Sequence, residues 1–562
     1  MAAVTDPQTG LEYYELSHPW GMYTPILPGY EETKFERITY HAKFGVMTHK
    51  FITIFHTSTH VNAPIHLIPR APAVGDIPLE TFFGTGVVLS IPKKKWELIE
   101  PADLEKATPK VRKGDIVLID TGWHRKYSDS IEYFGHSPGL SKKAAEWLVK
   151  KGVKLVGVDT PQIDHPLATS LGPHRNGPQI KYILPEYKEA TGREPIKDFP
   201  EWNAAHLVLL GAGIPTIENV GGDLDEVAGK RCTFQGFPWK WLEGDACVIR
   251  LVALLDPNGN VRFEPGKKGK SANKPATQPI ADLKKAAAKK SAVVKAPAVS
   301  SSTKGLEFYN LSHRWGHGMP EWPSRPLLNV KVLQLHGRDG VFVQQLDGIM
   351  HRGTHMDAPL HVAENQPSIT GYPIWRFFGT GVAVSIPKGK WGVITPKDLE
   401  NATPTIQKND IVMINTGSHR YFADDPKYFA YSPGLYKESA EWLVAKGVKL
   451  VGVDVQALDH PLGTFLGPHG PGPAQPHLDD EYFAEKGRHI IDDFPYWEPA
   501  HKIMMTNGIP GIENIGGELD KITGKRCTFF AFPWRWPQGE GCALRVVAVI
   551  DPKQGFRFDS GK

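Results

Sequence analysis

The 562-residue sequence predicts a mixed α/β fold built twice in tandem. Three observations carry this expectation. The residues from Tyr14 to Phe263 recur from Tyr309 to Phe558 at a constant offset of 295, without a gap. The run Ser141 to Val158, "SKKAAEWLVKKGVKLVGV", joins a helix-forming stretch to an apolar strand. Several further runs, "GVVLSIP", "DIVLID" and "CVIRLVALLD", are short, apolar and rich in β-branched residues,.

Taken in order, each element has a local reason. Ser141 is suited to cap a helix whose good formers continue to Lys151, Gly152 stops it, and Val153 to Val158 follows as a buried strand. The other apolar runs read as strands of the same sheet, with only a few helices packed on it. Matched segments such as "FFGTGV" at Phe82 and Phe377 and "KGVKLVGVD" at Lys151 and Lys446 place the same elements in both copies. Each copy is about 250 residues, enough for a complete core.

Residues 266–304 interrupt the repeat with Lys, Ala, Pro and Ser, giving a first domain over 1–265, a linker, and a second domain over 305–562. The linker holds ten lysines and one aspartate, a charge of +9, so the formal +4 of the chain leaves −5 for its body. The basic balance is therefore no sign of a nucleic-acid face. A passive tether of this length reaches roughly 35 Å, enough for two domains to dock side by side. The start "MAAVTDPQTG" has neither a basic nor an apolar stretch, and no segment reads as a membrane span, which suggests a cytoplasmic protein. The cysteines fall as Cys232/Cys527 and Cys247/Cys542 without metal-type spacing, and read as buried thiols,.

The chemistry is concentrated in one eleven-residue window. His351, His355, Asp357 and His361 lie at even offsets, matched by His56, His60, Asn62 and His66. On a straight strand such a set would spread over about 33 Å, so the backbone must bend, most cheaply at Gly353 and Pro359. The expected form is a strand end entering a loop around a divalent cation such as zinc, manganese or iron. His501 and Glu513, matched by His206 and Glu218, sit on a predicted helix and the strand or turn after Gly508, where a chain reversal brings both to one place. In the first copy Asn62 replaces a carboxylate, so that site is expected to bind metal weakly or serve structure. His165, His174, His460 and His469 either shape a pocket or cap turns, and Trp315, Trp322 and Phe378 are candidates for an apolar wall. Nucleophile-elbow, Walker and dinucleotide motifs are missing from the sequence.

The pattern His-x-Gly-Thr-His-x-Asp-x-Pro-x-His resembles the signature of the metal-dependent cyclase family, which includes bacterial-type kynurenine formamidase and isatin hydrolase. "LSHRWGHGMPEWP" and "GIENIGG" extend the resemblance over essentially all of each copy. It implies a swivelling β/β/α-type fold, assembly as dimers or larger oligomers, and Zn or Mn as cofactor. It also implies His351, His355 and Asp357 as metal ligands, with Asp357 able to bridge to a second ion on His501 and Glu513, and His361 as general base. The corresponding first-copy set is His56, His60, Asn62, His206 and Glu218, with His66 as base. The implied reaction is hydrolysis of an amide, lactam or lactone of a small-molecule substrate. A lyase, dehydratase or ring-forming cyclase is the first alternative, and a noncatalytic scaffold the second. Fusion of a homodimeric ancestor would make the chain an intramolecular pseudodimer, which could associate further.

Overall fold

A computed structural model of the chain describes residues 3–259 and 303–553; the expected linker, apart from its last two residues, lies outside them. The fold is mixed α/β, with one large sheet per repeat. In the first sheet the parallel strands Phe83–Ser90, Ile116–Asp120, Leu155–Val158 and Thr216–Glu218 form the centre, flanked by antiparallel strands. The second sheet repeats this with Phe378–Ser385, Ile411–Asn415, Leu450–Val453 and Gly511–Glu513. Central strands covered on both faces need apolar side chains throughout, which is why these runs are nearly continuous in Val, Ile and Leu.

The helix expected after Ser141 spans Lys142–Lys151, with the Ser141 hydroxyl accepting the Ala144 N–H and Gly152 closing it at φ 70°. The strand behind it starts at Leu155, slightly later than expected. Two readings change. "CVIRLVALLD" is not one strand: Ala246–Val248 pairs with His60–Asn62, whereas Val252–Leu255 pairs with Arg231–Gln235. Between them the Ile249 N–H donates to the Thr59 carbonyl and the Leu251 N–H to Ser17 Oγ, so the chain leaves one ladder and joins another. Helices are also more numerous than expected, though many are single turns such as Ile131–Gly135 and Pro359–Val362.

The two repeats share a four-stranded sheet in the order Asn329–Gln334, Val343–Ile349, Thr48–Ile54, Lys34–Thr39. Ile52 pairs with Asp347, its own repeat equivalent, and Lys50 forms a 3.0 Å ion pair with Asp347. Trp239 and Trp534, also repeat equivalents, stack at 4.2 Å between ring centroids, with Trp20 against Trp534 at 5.0 Å and Trp315 against Trp239 at 4.8 Å. These tryptophans join both halves into one apolar core. Trp534→Ala is expected to destabilise the chain by about 3–5 kcal/mol in urea unfolding. A loss below about 1 kcal/mol, the size of a surface change, would show that this stack does not hold the halves together.

All four cysteines are free and buried, as expected. Among the described residues no helix is long and apolar enough to cross a membrane.

Candidate metal centre

In the second half the chain leaves strand Val343–Ile349, passes His351, and turns at Gly353, where φ is 53° and a Cβ would stand 2.6 Å from Met319 Cε,. Thr354 fixes the turn, its hydroxyl donating to the Asn514 carbonyl (2.6 Å) and accepting the His313 N–H (3.0 Å). The strand His355–Asp357 then runs antiparallel to Gly511–Glu513, placing His355 opposite Glu513. Pro359–Val362 presents His361, and the helix Pro499–Thr506 presents His501 from the other side. All six residues singled out from the sequence thus converge. Asp357 Oδ1 lies 2.8 Å from His351 Nδ1 and 3.4 Å from His355 Nε2, and its Oδ2 lies 3.3 Å from His501 Nε2. Glu513 lies 3.3 Å from His355 Nε2 and 2.9 Å from His501 Nε2.

Three of the imidazoles are oriented by hydrogen bonds behind them. The Nδ1–H of His355 donates to the Gly353 carbonyl (2.8 Å), that of His361 to the Met47 carbonyl of the first half (2.6 Å), and that of His501 to Asp459 (2.6 Å). Each arrangement directs Nε2 inward, the tautomer that a metal ligand or a base requires. Asp459 also accepts the backbone N–H groups of Ala500 and His501, so one carboxylate starts the helix and aims its histidine.

The donor set fits a divalent cation. His351, His355 and Asp357 bring ligand atoms within 4.8 Å of one another, and so do Asp357, His501 and Glu513. Nε2 of His351 and of His355 are buried and make no hydrogen bond of good geometry, meeting only carboxylates, at 3.5 Å from Glu540 and at 3.3 Å and 3.4 Å from Glu513 and Asp357,. Burial would raise the Asp357 pKa, but the His355 and His351 rings outweigh it and hold the carboxyl well below the usual range. Burial lowers the His351 pKa, yet Asp357 and Glu540 bring it up to about 9. Protons thus balance the clustered carboxylates, and an arriving cation would release them.

Glu540, which the sequence reading missed, is fully buried at this site. Its carboxylate accepts the His49 backbone N–H (2.8 Å) and His49 Nδ1–H (2.6 Å) from the first half, while His351 Nε2 lies 3.5 Å away. Acidic residues at both 245 and 540 were the available signal. Gly541 leaves room for His351, since a Cβ there would meet Cε1 of that ring at 2.5 Å.

The first half brings the equivalent residues together but differs at four positions, and there His56, His66 and Asp245 place their ligand atoms within 4.8 Å of one another. Asn62 supplies an amide in place of the carboxylate. Thr216, where the second half has Gly511, places its hydroxyl 2.8 Å from His206 Nε2 and ties up that donor. Asp245, where the second half has Glu540, binds His56 Nε2 at 2.6 Å, and Ala246 replaces Gly541. His60 keeps its contact with Glu218 at 3.2 Å, and His66 is anchored to the Phe342 carbonyl of the second half at 3.0 Å.

The remaining candidates separate clearly. His165 and His460 cap short turns by accepting the N–H groups of Leu167 and Leu462, and His174 bonds the Phe199 carbonyl. Trp315 and Phe378 are core residues. Trp322 does line the cleft over the second site, a space of about 670 Å³ that also includes Phe429, Phe465, Arg325, Glu498 and, from the first half, Val46 and Thr48. The equivalent first-half cleft is more polar, with Gln162, Ser170, Arg175 and Gln179 on its wall.

The profile of the Cyclase family matches this chain twice, over residues 14–165 and 309–460, more than half of its length. The chain belongs to the cyclase family. The chain is 26% identical over 245 residues to a kynurenine formamidase of Bacillus cereus, an alignment covering 43% of this chain and 98% of that protein. It is 28% identical over 167 residues to a kynurenine formamidase of Bordetella petrii, covering 29% and 75% respectively. Among solved structures it is similar to isatin hydrolase A from Ralstonia solanacearum, at 21% identity and a TM-score of 0.34, covering 43% of this chain and 92% of that one. The tandem cyclase repeat accounts for the 295-residue offset.

Proposed function

We propose that the second half of this chain is a metal-dependent hydrolase of a C–N bond in a small aromatic amide or lactam, and that the first half no longer turns over substrate. One observation carries the reading: Asp357 faces His351 and His355 with one oxygen and His501 with the other, beneath a cleft walled by Trp322, Phe429 and Phe465. The names of the kynurenine formamidase relatives support the bond type.

In this reading His351, His355 and Asp357 hold one divalent ion, and Asp357 with His501 and Glu513 can hold another. Such an ion polarises a carbonyl and lowers the pKa of water toward about 7. Imidazole and carboxylate donors suit zinc or manganese. His361 takes a proton from the attacking water through Nε2, because Met47 occupies Nδ1, and returns it to the leaving nitrogen. The aromatic wall excludes water and orients the ring of the substrate. Arg325, with its guanidinium 5.3 Å from the centroid of Phe465, offers a positive charge to a substrate carboxylate.

The repeat-equivalent pairing of Ile52 with Asp347 supports docking of the domains 1–265 and 305–562 about a pseudo-twofold axis, with 266–304 as tether,. Four free cysteines favour a reducing compartment such as the cytosol,.

The test is hydrolysis of N-formylkynurenine and of isatin before and after chelation. Stripped protein is expected to lose turnover and recover it with zinc or manganese, and its melting temperature should rise on reloading. Turnover that survives complete removal of metal would overturn the reading.

A further inference from the structure

The two halves differ in what the acidic residue behind the first histidine does. In the first half Asp245 grips His56 Nε2 at 2.6 Å. In the second half the side chain is one methylene longer, and both oxygens of Glu540 are taken by His49, which belongs to the other half; His351 Nε2 is left at 3.5 Å. The exchange is not reciprocal. Gln344, the repeat equivalent of His49, makes no such bond to Asp245, and its Oε1 is buried without a partner. Glu540 is fully buried, so the direction in which its charge points is set by whichever donor it meets there,. Symmetric contacts between the halves do exist, such as His41 Nε2 to the Leu360 carbonyl and His336 Nε2 to the Ile65 carbonyl. Against that symmetric frame the bond from His49 to Glu540 is specific to the complete site.

We infer that His49 of the first half is a positioning residue for the second-half centre: by taking both Glu540 oxygens in hydrogen bonds it keeps that carboxylate at 3.5 Å from His351 Nε2 instead of in a tight pair with it, so that His351 faces Asp357 and can serve as a metal ligand. This rests on the metal-dependent reading above and gives the first half a task in it. Without His49 the Glu540 carboxylate would turn to the nearest remaining donor, His351 Nε2, and reproduce the closed pair seen at Asp245 and His56. Partners behind metal ligands typically change metal affinity by about 10–100-fold.

The test is calorimetric titration of chelator-stripped full-length protein with zinc and with manganese, beside its thermal unfolding. His49→Ala is expected to lower metal affinity by about 10–100-fold while the stripped protein melts within a few degrees of wild type. Adding Glu540→Gln in the His49→Ala background should recover most of that affinity, because a neutral amide competes poorly for His351; a merely structural His49 would give no such rescue. Should His49→Ala fail to fold, Glu540→Asp approaches from the other side: the shortened side chain cannot reach His49, and the same loss is expected. Metal binding within twofold of wild type in the single variants, or absence of rescue in the double variant, overturns the inference while leaving the hydrolase reading intact. A wild-type chain that binds no metal overturns both.

Discussion

Asp357→Asn is expected to abolish metal binding at the second site and to reduce turnover by about 10³-fold or more. Asp357 is fully buried and stands between both donor groups, so the amide removes the charge that His351, His355 and His501 face together. Elemental analysis of the purified variant beside its kcat/KM checks this. The mirror change gives the sharper comparison. Asn62→Asp restores the missing carboxylate, yet it is expected to gain no measurable turnover in an Asp357→Asn background. Thr216 still holds His206, Asp245 still holds His56, and Ala246 still occupies the space that Gly541 leaves open. Only the combined change Asn62→Asp, Thr216→Gly, Asp245→Glu and Ala246→Gly would rebuild the donor set. Full activity from Asn62→Asp alone would show that these three obstructions are inconsequential.

Those obstructions mark the limit of what the sequence can tell. The repeat, the mixed sheet and the helix capped by Ser141 are local or periodic features, and each appears where its residues predict it. That six residues of the candidate second centre come together was legible for a related reason: four share one window, and His501 and Glu513 share one helix-to-strand reversal. What could not be read was partnership at long range. Thr216 matters only because its strand faces His206, and Glu540 only because it reaches His49, 491 residues away in sequence. The single run "CVIRLVALLD" misled in the same way, since backbone partners from Thr59 and Ser17 divide it between two ladders. For the histidines at 165 and 460 the sequence left pocket shaping and turn capping both open, and their rings answer the unmet N–H groups of short helical turns,.

His361→Ala separates binding from chemistry, because this side chain contributes to the site without being one of its two donor groups. Its ring centroid lies 4.0 Å from that of His351, and it lines the same cleft as Asp357. Nδ1 is committed to the Met47 carbonyl, so truncation removes the one imidazole whose Nε2 is left for proton transfer. kcat is expected to fall by about 10²–10⁴-fold, with metal content retained and KM little changed. The pH profile adds a second check. Burial, reinforced by the neighbouring His351, holds the His361 pKa well below the ordinary histidine value, so the ring is uncharged through neutral pH. The acid limb of kcat/KM for wild type should therefore fall below about pH 6.5, the ordinary histidine midpoint. In His361→Ala that limb should vanish, with the residual rate rising as hydroxide replaces the lost base. Loss of metal together with loss of rate would instead make His361 a ligand, and would move the base to another group on the cleft wall.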